Sequence, residues 1–291
     1  MNLSYKTQRT VILVSFLTIP LLLLAMFSYY PAINLIYYSF LKWDGLTDKT
    51  FVGLQNYKEI LTNIEYFGVL KNNLYYFAGG LLQTMFALYF AVVLNSKLRG
   101  RNVFRVILFL PYIMHSVAIV FMFQALYNNQ YGTLNALLDA VGLGSLQQDW
   151  LGNKKLVNYA LAFVSMWKYM GLSMVIFLGS LQSIPHDLYE AARIDGASTF
   201  QQFWRITLPS IRRVMELLLL LTLTGALEAF EIPYIMMLGA NGTDTFIIKT
   251  VEVAFQFKEV GLGSAMAVIM LIIVLLFVGL QRLLFKGGEN V

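Results

Sequence analysis

The feature that most constrains this 291-residue sequence is a series of apolar runs, each about as long as a membrane is thick. A helix needs roughly 20 residues to cross about 30 Å of hydrocarbon. The composition agrees, because 58% of the residues are hydrophobic, only 13% are charged and the mean hydropathy is +0.65. The sequence therefore predicts an all-α integral membrane fold, in a single domain over 1–291, with six spans at about 11–36, 72–95, 103–126, 156–180, 214–237 and 262–284.

Two residue types that often build metal sites are scarce. Cysteine is absent, and the two histidines, His115 and His186, are far apart. Neither a disulfide nor a metal centre is expected. The first apolar run follows Lys6 and Arg9 and could be mistaken for a cleaved signal peptide. It continues without a small-residue cleavage site, and further spans follow, so we expect a retained first helix.

Basic residues near the span ends predict the orientation, because Lys and Arg are retained on the cytoplasmic side. With both termini cytoplasmic, every arginine falls on the inner side. The pI of about 9.2 is then a consequence of membrane topology, and no nucleic-acid partner is expected. The inner basic residues are Lys6, Arg9, Lys97, Arg99, Arg101, Arg105, Arg193, Arg205, Arg212, Arg213, Arg282 and Lys286.

Two predicted outer loops carry short amphipathic stretches. Residues 51–67 place apolar side chains at helical spacing, which predicts a short helix on the outer surface. A second such stretch lies within 128–150, among several glycines. Both could form a collar at an outer mouth, or both could be ordinary connecting loops.

A charged segment over about 183–209 lies between the fourth and fifth spans. Pro185 suits the first turn of a helix that we expect to run to about Asp195. Gly196 can adopt the left-handed conformation that ends a helix. Ser198 and Gln201 have the spacing of a capping box that begins a second helix, and Pro209 is expected to end it.

The first of these two helices presents small and charged side chains together. Ala191 and Ala192 add little bulk, and Glu190 and Arg193 supply charge. Such a surface suits docking into a groove of a soluble partner. The alternative is an amphipathic loop that rests on lipid headgroups and binds nothing.

Lys168, Glu228 and Glu231 lie well inside the predicted spans, where a charge is costly unless it faces a partner or a water-filled path. From a rise of about 1.5 Å per residue, Lys168 lies at a depth that Glu228 matches better than Glu231. We therefore predict a Lys168–Glu228 pair, with Glu231, Tyr234 and Asn241 facing a translocation path. The alternative is a purely structural ion pair between two helices. His115 is expected to be a hydrogen-bonded interior group.

The charged segment also resembles a known signature. Its residue types, spacing and position are similar to the "EAA" motif of permease subunits in bacterial ATP-binding cassette importers. The stretch "FVGLQNY" at 51–57 resembles a sequence after the first span in the sugar-importing branch, whereas Gly239–Asn241 departs from that branch's Gly-Gly-Pro run. The residues that carry the signature are Glu190, Ala191, Ala192, Gly196, Ile206, Leu208 and Pro209.

This resemblance implies a type I importer permease fold, with six transmembrane helices and a cytoplasmic coupling helix, in a bacterial inner membrane. It implies a second permease subunit, expected to differ so that the pair is a heterodimer, two cytoplasmic ATPase subunits and an extracellular solute-binding protein. Glu190 would pair with a basic group of the ATPase, and Gly196 would allow a tight turn. An oligosaccharide is the first expectation for the solute, and glycerol phosphate or a related polar solute is the alternative.

Catalytic and nucleotide-binding motifs are missing from the chain. The sequence contains no phosphate-binding loop, zinc-protease motif, nucleophile elbow or dinucleotide fingerprint. We therefore expect no catalytic residue, metal or cofactor in this subunit, with ATP and Mg²⁺ bound by the partner ATPase. A polytopic membrane enzyme or assembly factor without a transport role stays open as a different class, although no cluster of catalytic side chains supports it. A simple channel is disfavoured because the sequence has no symmetric polar repeat.

Overall fold

In the computed structural model, residues 4–96 and 98–285 are described, and they form a mainly helical chain. Lys97 and Lys286, two of the predicted inner basic residues, lie outside this range. One antiparallel hairpin pairs β1 (Leu41–Lys42) with β2 (Thr50–Phe51). The α-helices are α1 Tyr5–Leu24, α2 Tyr30–Tyr38, α3 Gln55–Thr62, α4 Ile64–Phe67, α5 Leu70–Asn95, α6 Arg101–Ile113, α7 Ser116–Leu126, α8 Thr133–Ala140, α9 Val157–Gln182, α10 His186–Ile194, α11 Thr199–Gln202, α12 Leu208–Ser210, α13 Arg212–Leu227, α14 Glu231–Met237, α15 Phe246–Val251 and α16 Val260–Phe285.

Four helical segments of the described chain are long and apolar enough to cross a membrane. They correspond to the predicted first, second, fourth and sixth spans. In the first of them, α1 and α2 contain no buried residue. The four segments are Tyr5–Tyr38, Ile64–Asn95, Val157–Gln182 and Val260–Leu283.

The predicted third span, 103–126, is two helices bent by 99°. Met114 and His115 adopt extended backbone between α6 and α7, and the imidazole Nδ1 of His115 accepts a hydrogen bond from the Val117 N–H at 3.3 Å. His115 therefore caps the first turn of α7. Its side chain is exposed, so the expectation of an interior histidine is wrong.

The predicted fifth span, 214–237, is also interrupted. The helix α13 ends at Leu227, and α14 begins at Glu231. A helix continued through Pro233 would bring the proline ring against the carbonyl four residues earlier. The break is stabilised by Asn73, a buried residue of α5 whose amide donates to the Ala226 and Leu227 carbonyls at 2.9 Å. These carbonyls lack helical partners at the end of α13, so Asn73 satisfies them.

The chain packs as two compact units, and the single-domain organisation over 1–291 stays a prediction. The first unit contains the residues up to Ile64 together with Thr250–Ile272. In it, the buried amide of Asn56 donates to the Ser39 and Leu41 carbonyls at 2.9 Å and so fixes α3 against the hairpin. The helix α3 confirms the short helix predicted within 51–67.

The loop between β1 and β2 is organised by Asp44. One of its carboxylate oxygens accepts hydrogen bonds from the backbone N–H groups of Thr47 and Leu46 and from the Thr47 hydroxyl. These bonds favour the ionised carboxylate and lower the pKa of Asp44 to about 2. The indole N–H of Trp43 closes the same loop by donating to the Thr47 carbonyl at 3.0 Å.

The second unit contains Glu65–Lys249 and the residues from Ile273 onward. The long helices α5 and α9 pack along each other here, with α6, α7 and α13 against them. Gly171 allows α9 to approach α6 closely, because a Cβ at this position would overlap the Leu108 carbonyl. The helix α8 confirms the second predicted amphipathic stretch, within 128–150.

Candidate functional site

The helix α10 presents the predicted docking residues on an exposed surface. It begins after Pro185, and Asp187 in its first turn and Arg193 in its last turn suit the helix dipole. No residue of α10 is buried. Glu190 is exposed and pairs with His186, with 3.2 Å between the carboxylate and Nδ1. Short side chains at Ala191 and Ala192 leave this face open to another surface.

A tight glycine turn follows α10 at Gly196, which has φ +78°. The Ala197 N–H donates to the Ala192 carbonyl at 2.8 Å, and the Gly196 N–H donates to the Arg193 carbonyl at 3.1 Å. This pair of bonds is the Schellman motif, which satisfies the last carbonyls of a helix. The structure therefore confirms the predicted glycine-ended helix.

The second helix of the segment begins with the predicted capping box. The Ser198 hydroxyl accepts from the Gln201 N–H at 3.3 Å, and the Gln201 side chain accepts from the Ser198 N–H at 2.8 Å. The helix α11 widens into a π-helical turn over Phe203–Thr207 and continues as α12. Pro209 does not end it, because the break comes at Ile211, where the backbone leaves the helical conformation.

Two contacts that the sequence patterns did not indicate brace this elbow. The Tyr189 hydroxyl in α10 and the Thr207 hydroxyl lie 2.9 Å apart. The Gln202 amide donates to the Ala197 carbonyl at 2.8 Å. We define the elbow as α10, Gly196–Ala197 and α11. One contact joins the middle of α10 to the turn after α11, and the other joins the end of α11 to the glycine turn.

A second candidate site surrounds Lys168, in the middle of α9. Its ammonium donates to the Glu231 carboxylate at 3.3 Å and to the Ser116 hydroxyl. The Lys168 side chain is 8% exposed and that of Glu231 is 48% exposed. The buried ammonium is thus compensated by a carboxylate on the first turn of α14 and by a hydroxyl on the first turn of α7.

The predicted Lys168–Glu228 pair is therefore wrong. Its depth argument assumed a continuous helix from 214 to 237, in which each residue advances about 1.5 Å. The chain leaves the helix at Glu228 and re-enters one at Glu231. This break changes both the depth and the direction of the two carboxylates, and Glu231 contacts the lysine.

A cavity of about 350 Å³ lies beside this cluster, within the second unit. Glu228 and Glu231 both line it, so the break between α13 and α14 brings two of the predicted pathway residues to one space. Hydrogen-bonding groups and aromatic rings make up much of the remaining wall. They include Tyr76, Gln83, Ser165, Tyr169, Ser173 and Thr222.

Two other predicted pathway residues are not part of this wall. The Tyr234 ring stacks on Phe230, with centroids 4.7 Å apart. The Asn241 amide donates to the Leu151 and Gly152 carbonyls at 2.8 and 2.9 Å, and so anchors one loop to another. The structure does not bring Tyr234 or Asn241 to the cavity with Glu228.

Comparison with known proteins is consistent across sequence and structure. Residues 83–287 match the family model described as "Binding-protein-dependent transport system inner membrane component". The chain is 35% identical to the probable ABC transporter permease protein YurN of Bacillus subtilis, over 94% of this chain and 95% of that protein. It is 33% identical to the trehalose/maltose transport system permease protein MalF of Thermococcus litoralis, over 80% and 79% respectively.

A solved structure shares the fold. The chain superposes with a TM-score of 0.85 on a chain in the crystal structure of a bacterial alginate ABC transporter in complex with an alginate pentasaccharide-bound periplasmic protein. The superposition covers 98% of this chain and 97% of that one, at 20% sequence identity.

Proposed function

This chain belongs to the family of binding-protein-dependent transport system inner membrane components, and we propose that it imports carbohydrate, most simply an oligosaccharide, as the permease subunit of an ATP-driven importer. The trehalose/maltose permease relative supports this solute class. Glycerol phosphate or a related polar solute is the alternative. Membership of a transport family argues against the membrane enzyme or assembly factor.

The single observation that carries the proposal is the exposed elbow. A helix with no buried residue, ended by a Schellman turn at Gly196, offers Glu190 and two alanines to a groove. We propose that α10 docks in a cytoplasmic ATPase, with Glu190 and Arg193 pairing with charges of that partner. ATP and Mg²⁺ bind to the ATPase, and this subunit has no catalytic role. Two ATPase copies serve two such elbows.

The remaining assignments concern topology and assembly. We place both termini in the cytoplasm of a bacterial cell with the chain in its inner membrane, because this orientation puts every arginine inside. A second, similar permease subunit completes a heterodimer, and an extracellular solute-binding protein delivers the solute. The apolar, exposed α1 and α2 face lipid or this second permease.

Two interruptions in the spans provide places for movement. The backbone breaks at Met114–His115 and at Glu228–Phe230 each directly precede a helix whose first residue contacts Lys168. When the ATPases close, the docked elbows move together, and the helices turn at these breaks. In the proposed cycle, the cavity beside Glu228 and Glu231 opens alternately to one membrane face and to the other.

Affinity purification of the complete transporter tests this function. The parent should bring down an ATPase, and Glu190→Lys should reduce the recovered ATPase about tenfold or more, because it reverses the charge at the docking face. Glu59→Lys is the matched control, since Glu59 is an exposed glutamate on another short helix, α3. Absence of an ATPase from the parent, or equal recovery from both variants, would refute the docking role.

The solute class needs a separate experiment. Binding of a panel of oligosaccharides, monosaccharides and glycerol 3-phosphate to the cognate solute-binding protein is expected to show highest affinity for an oligosaccharide. Selective binding of glycerol 3-phosphate would establish the alternative instead.

A further inference from the structure

The charges around the cavity in the second unit do not balance. Lys168 contributes one positive charge, and its ammonium lies 3.3 Å from Glu231. Glu228 contributes a second carboxylate and lines the same cavity. Within residues 4–96 and 98–285, Glu228 forms no ion pair, because the described ion pairs involve other carboxylates. Lys168, Glu228 and Glu231 together therefore carry a net charge of −1.

The rest of the wall is suited to hydroxyl groups. Ser165 and Tyr169 provide hydroxyls beside aromatic surface, and Gln83 and Ser173 form a hydrogen-bonded pair at 2.8 Å. Such groups can donate to or accept from a polyol, and the carboxylate of Glu228 can accept from two hydroxyls at once. A polar solute without charge can satisfy this wall.

The charges at the cavity disfavour an anionic solute. A phosphate or uronate would stand close to Glu228, and the ammonium of Lys168 already binds Glu231 and Ser116. Two like charges at contact distance repel even in water, and they repel more strongly at the lower effective dielectric of a protein interior. The cavity offers an anion no unpaired cationic side chain among its wall residues.

We infer that Glu228 is a specificity-determining residue that makes the solute path select neutral polyhydroxylated solutes over anionic ones. This inference rests on the proposed function, because it takes the cavity to be part of the solute path. Lys168 is a positioning residue, because its ammonium holds the Glu231 carboxylate at 3.3 Å. The inference favours a neutral oligosaccharide over glycerol phosphate or an acidic polysaccharide.

This chain contains no cysteine, so a single introduced thiol can report the charge of the cavity through labelling of this subunit in the complete purified transporter. Ser165→Cys introduces one thiol of similar size into the cavity wall. Its reaction rates with a cationic and an anionic methanethiosulfonate reagent are measured at pH 8. The ratio of the two rates is then divided by the same ratio for a free thiol in solution.

The normalised ratio should exceed about fivefold in favour of the cationic reagent, because a single nearby charge attracts one reagent and repels the other. Adding Glu228→Gln brings the net charge to 0, and the ratio should fall to within about twofold of unity. Adding Lys168→Gln brings the net charge to −2, and the ratio should rise. Glu216→Gln, which changes a glutamate paired with Arg212 outside the cavity wall, should leave the ratio unchanged.

A ratio near unity in the Ser165→Cys protein, or one that Glu228→Gln does not alter, would overturn the inference. A thiol that reacts with neither reagent would also overturn it, since the cavity would then be closed to solutes. These outcomes do not depend on ATPase recovery, so they are separable from failure of the proposed function. Transport of glycerol 3-phosphate as fast as a neutral disaccharide would contradict the selection independently.

Discussion

The ion pair between Lys168 and Glu231 leads to an asymmetric prediction for the two single variants. Glu231→Gln leaves a buried ammonium whose other contacts, the Ser116 hydroxyl and the Tyr169 ring, carry no charge. Lys168→Met leaves a carboxylate that is 48% exposed and can be hydrated. Breaking a buried pair so that one charge is stranded costs about 3–5 kcal/mol. We expect the free energy of unfolding to fall by about 3 kcal/mol in Glu231→Gln and by about 1 kcal/mol in Lys168→Met.

The coupling between the two residues follows from their separation. At the observed 3.3 Å, unit charges attract by about 1.3 kcal/mol in water and about 5 kcal/mol at an effective dielectric of 20. Because one partner is buried and the other is half exposed, we expect a coupling energy of about 2 kcal/mol. The free energy of unfolding of the double variant should then fall by about 2 kcal/mol. Two independent sites would instead lower it by about 4 kcal/mol.

Equilibrium unfolding of the purified protein in mixed micelles, followed by tryptophan fluorescence, measures all four free energies of unfolding. Trp167 precedes Lys168 in α9 and reports on this region. The control is the same cycle with Glu228→Gln in place of Glu231→Gln, for which we expect a smaller coupling. Additivity within about 0.5 kcal/mol in the Glu231 cycle, or a larger coupling to Glu228, would refute the assigned pair.

Three further variants test local features. Gly196→Ala should lower the stability by about 1–2 kcal/mol and speed amide exchange in α10, because φ is +78° at this position. No neighbouring atom obstructs a Cβ there, so the cost comes from the backbone conformation. Gly179→Ala is the control: it lies inside α9, is equally unobstructed and should not destabilise the protein. Ser198→Ala removes the N-cap, at about 1 kcal/mol, and should reduce exchange protection over 199–202 while α9 is unaffected. Because the pKa of Asp44 is lowered, its hydrogen bonds in the loop contribute stability above the unfolded pKa near 4, and this stability is lost as the pH falls toward 2. Trp43 fluorescence should change across that pH window in the parent, and Asp44→Asn should abolish the change.

The elbow was predictable because its determinants are local. The left-handed turn at Gly196 and the Ser198–Gln201 capping box depend on residues within a few positions of each other, and both have strong residue preferences. The braces of the elbow were not predictable in this way. Tyr189 and Thr207 are 18 residues apart, and their contact requires the intervening turn to have one particular geometry.

The interruptions of the third and fifth spans were predictable from the sequence only in part. Pro233 and His115 are local causes of helix breaks, but apolar residues predominate over 103–126 and 214–237 taken as a whole. Asn73 fixes the end of α13 from 153 residues away. A run of apolar residues therefore predicts membrane insertion well and helix continuity poorly, because insertion depends on composition and continuity depends on where each carbonyl finds a donor.

By itself the sequence determined that this is a multi-span membrane protein with an exposed helical elbow, since transfer of apolar side chains into lipid and the capping of helix ends depend on residue type and short-range spacing. Only the tertiary structure decided which carboxylate meets Lys168. That choice joins residues 63 positions apart and depends on the rotation of the chain at the break after Leu227. It also leaves Glu228 as the unpaired charge of the cavity, because one buried ammonium can compensate only one of the two carboxylates.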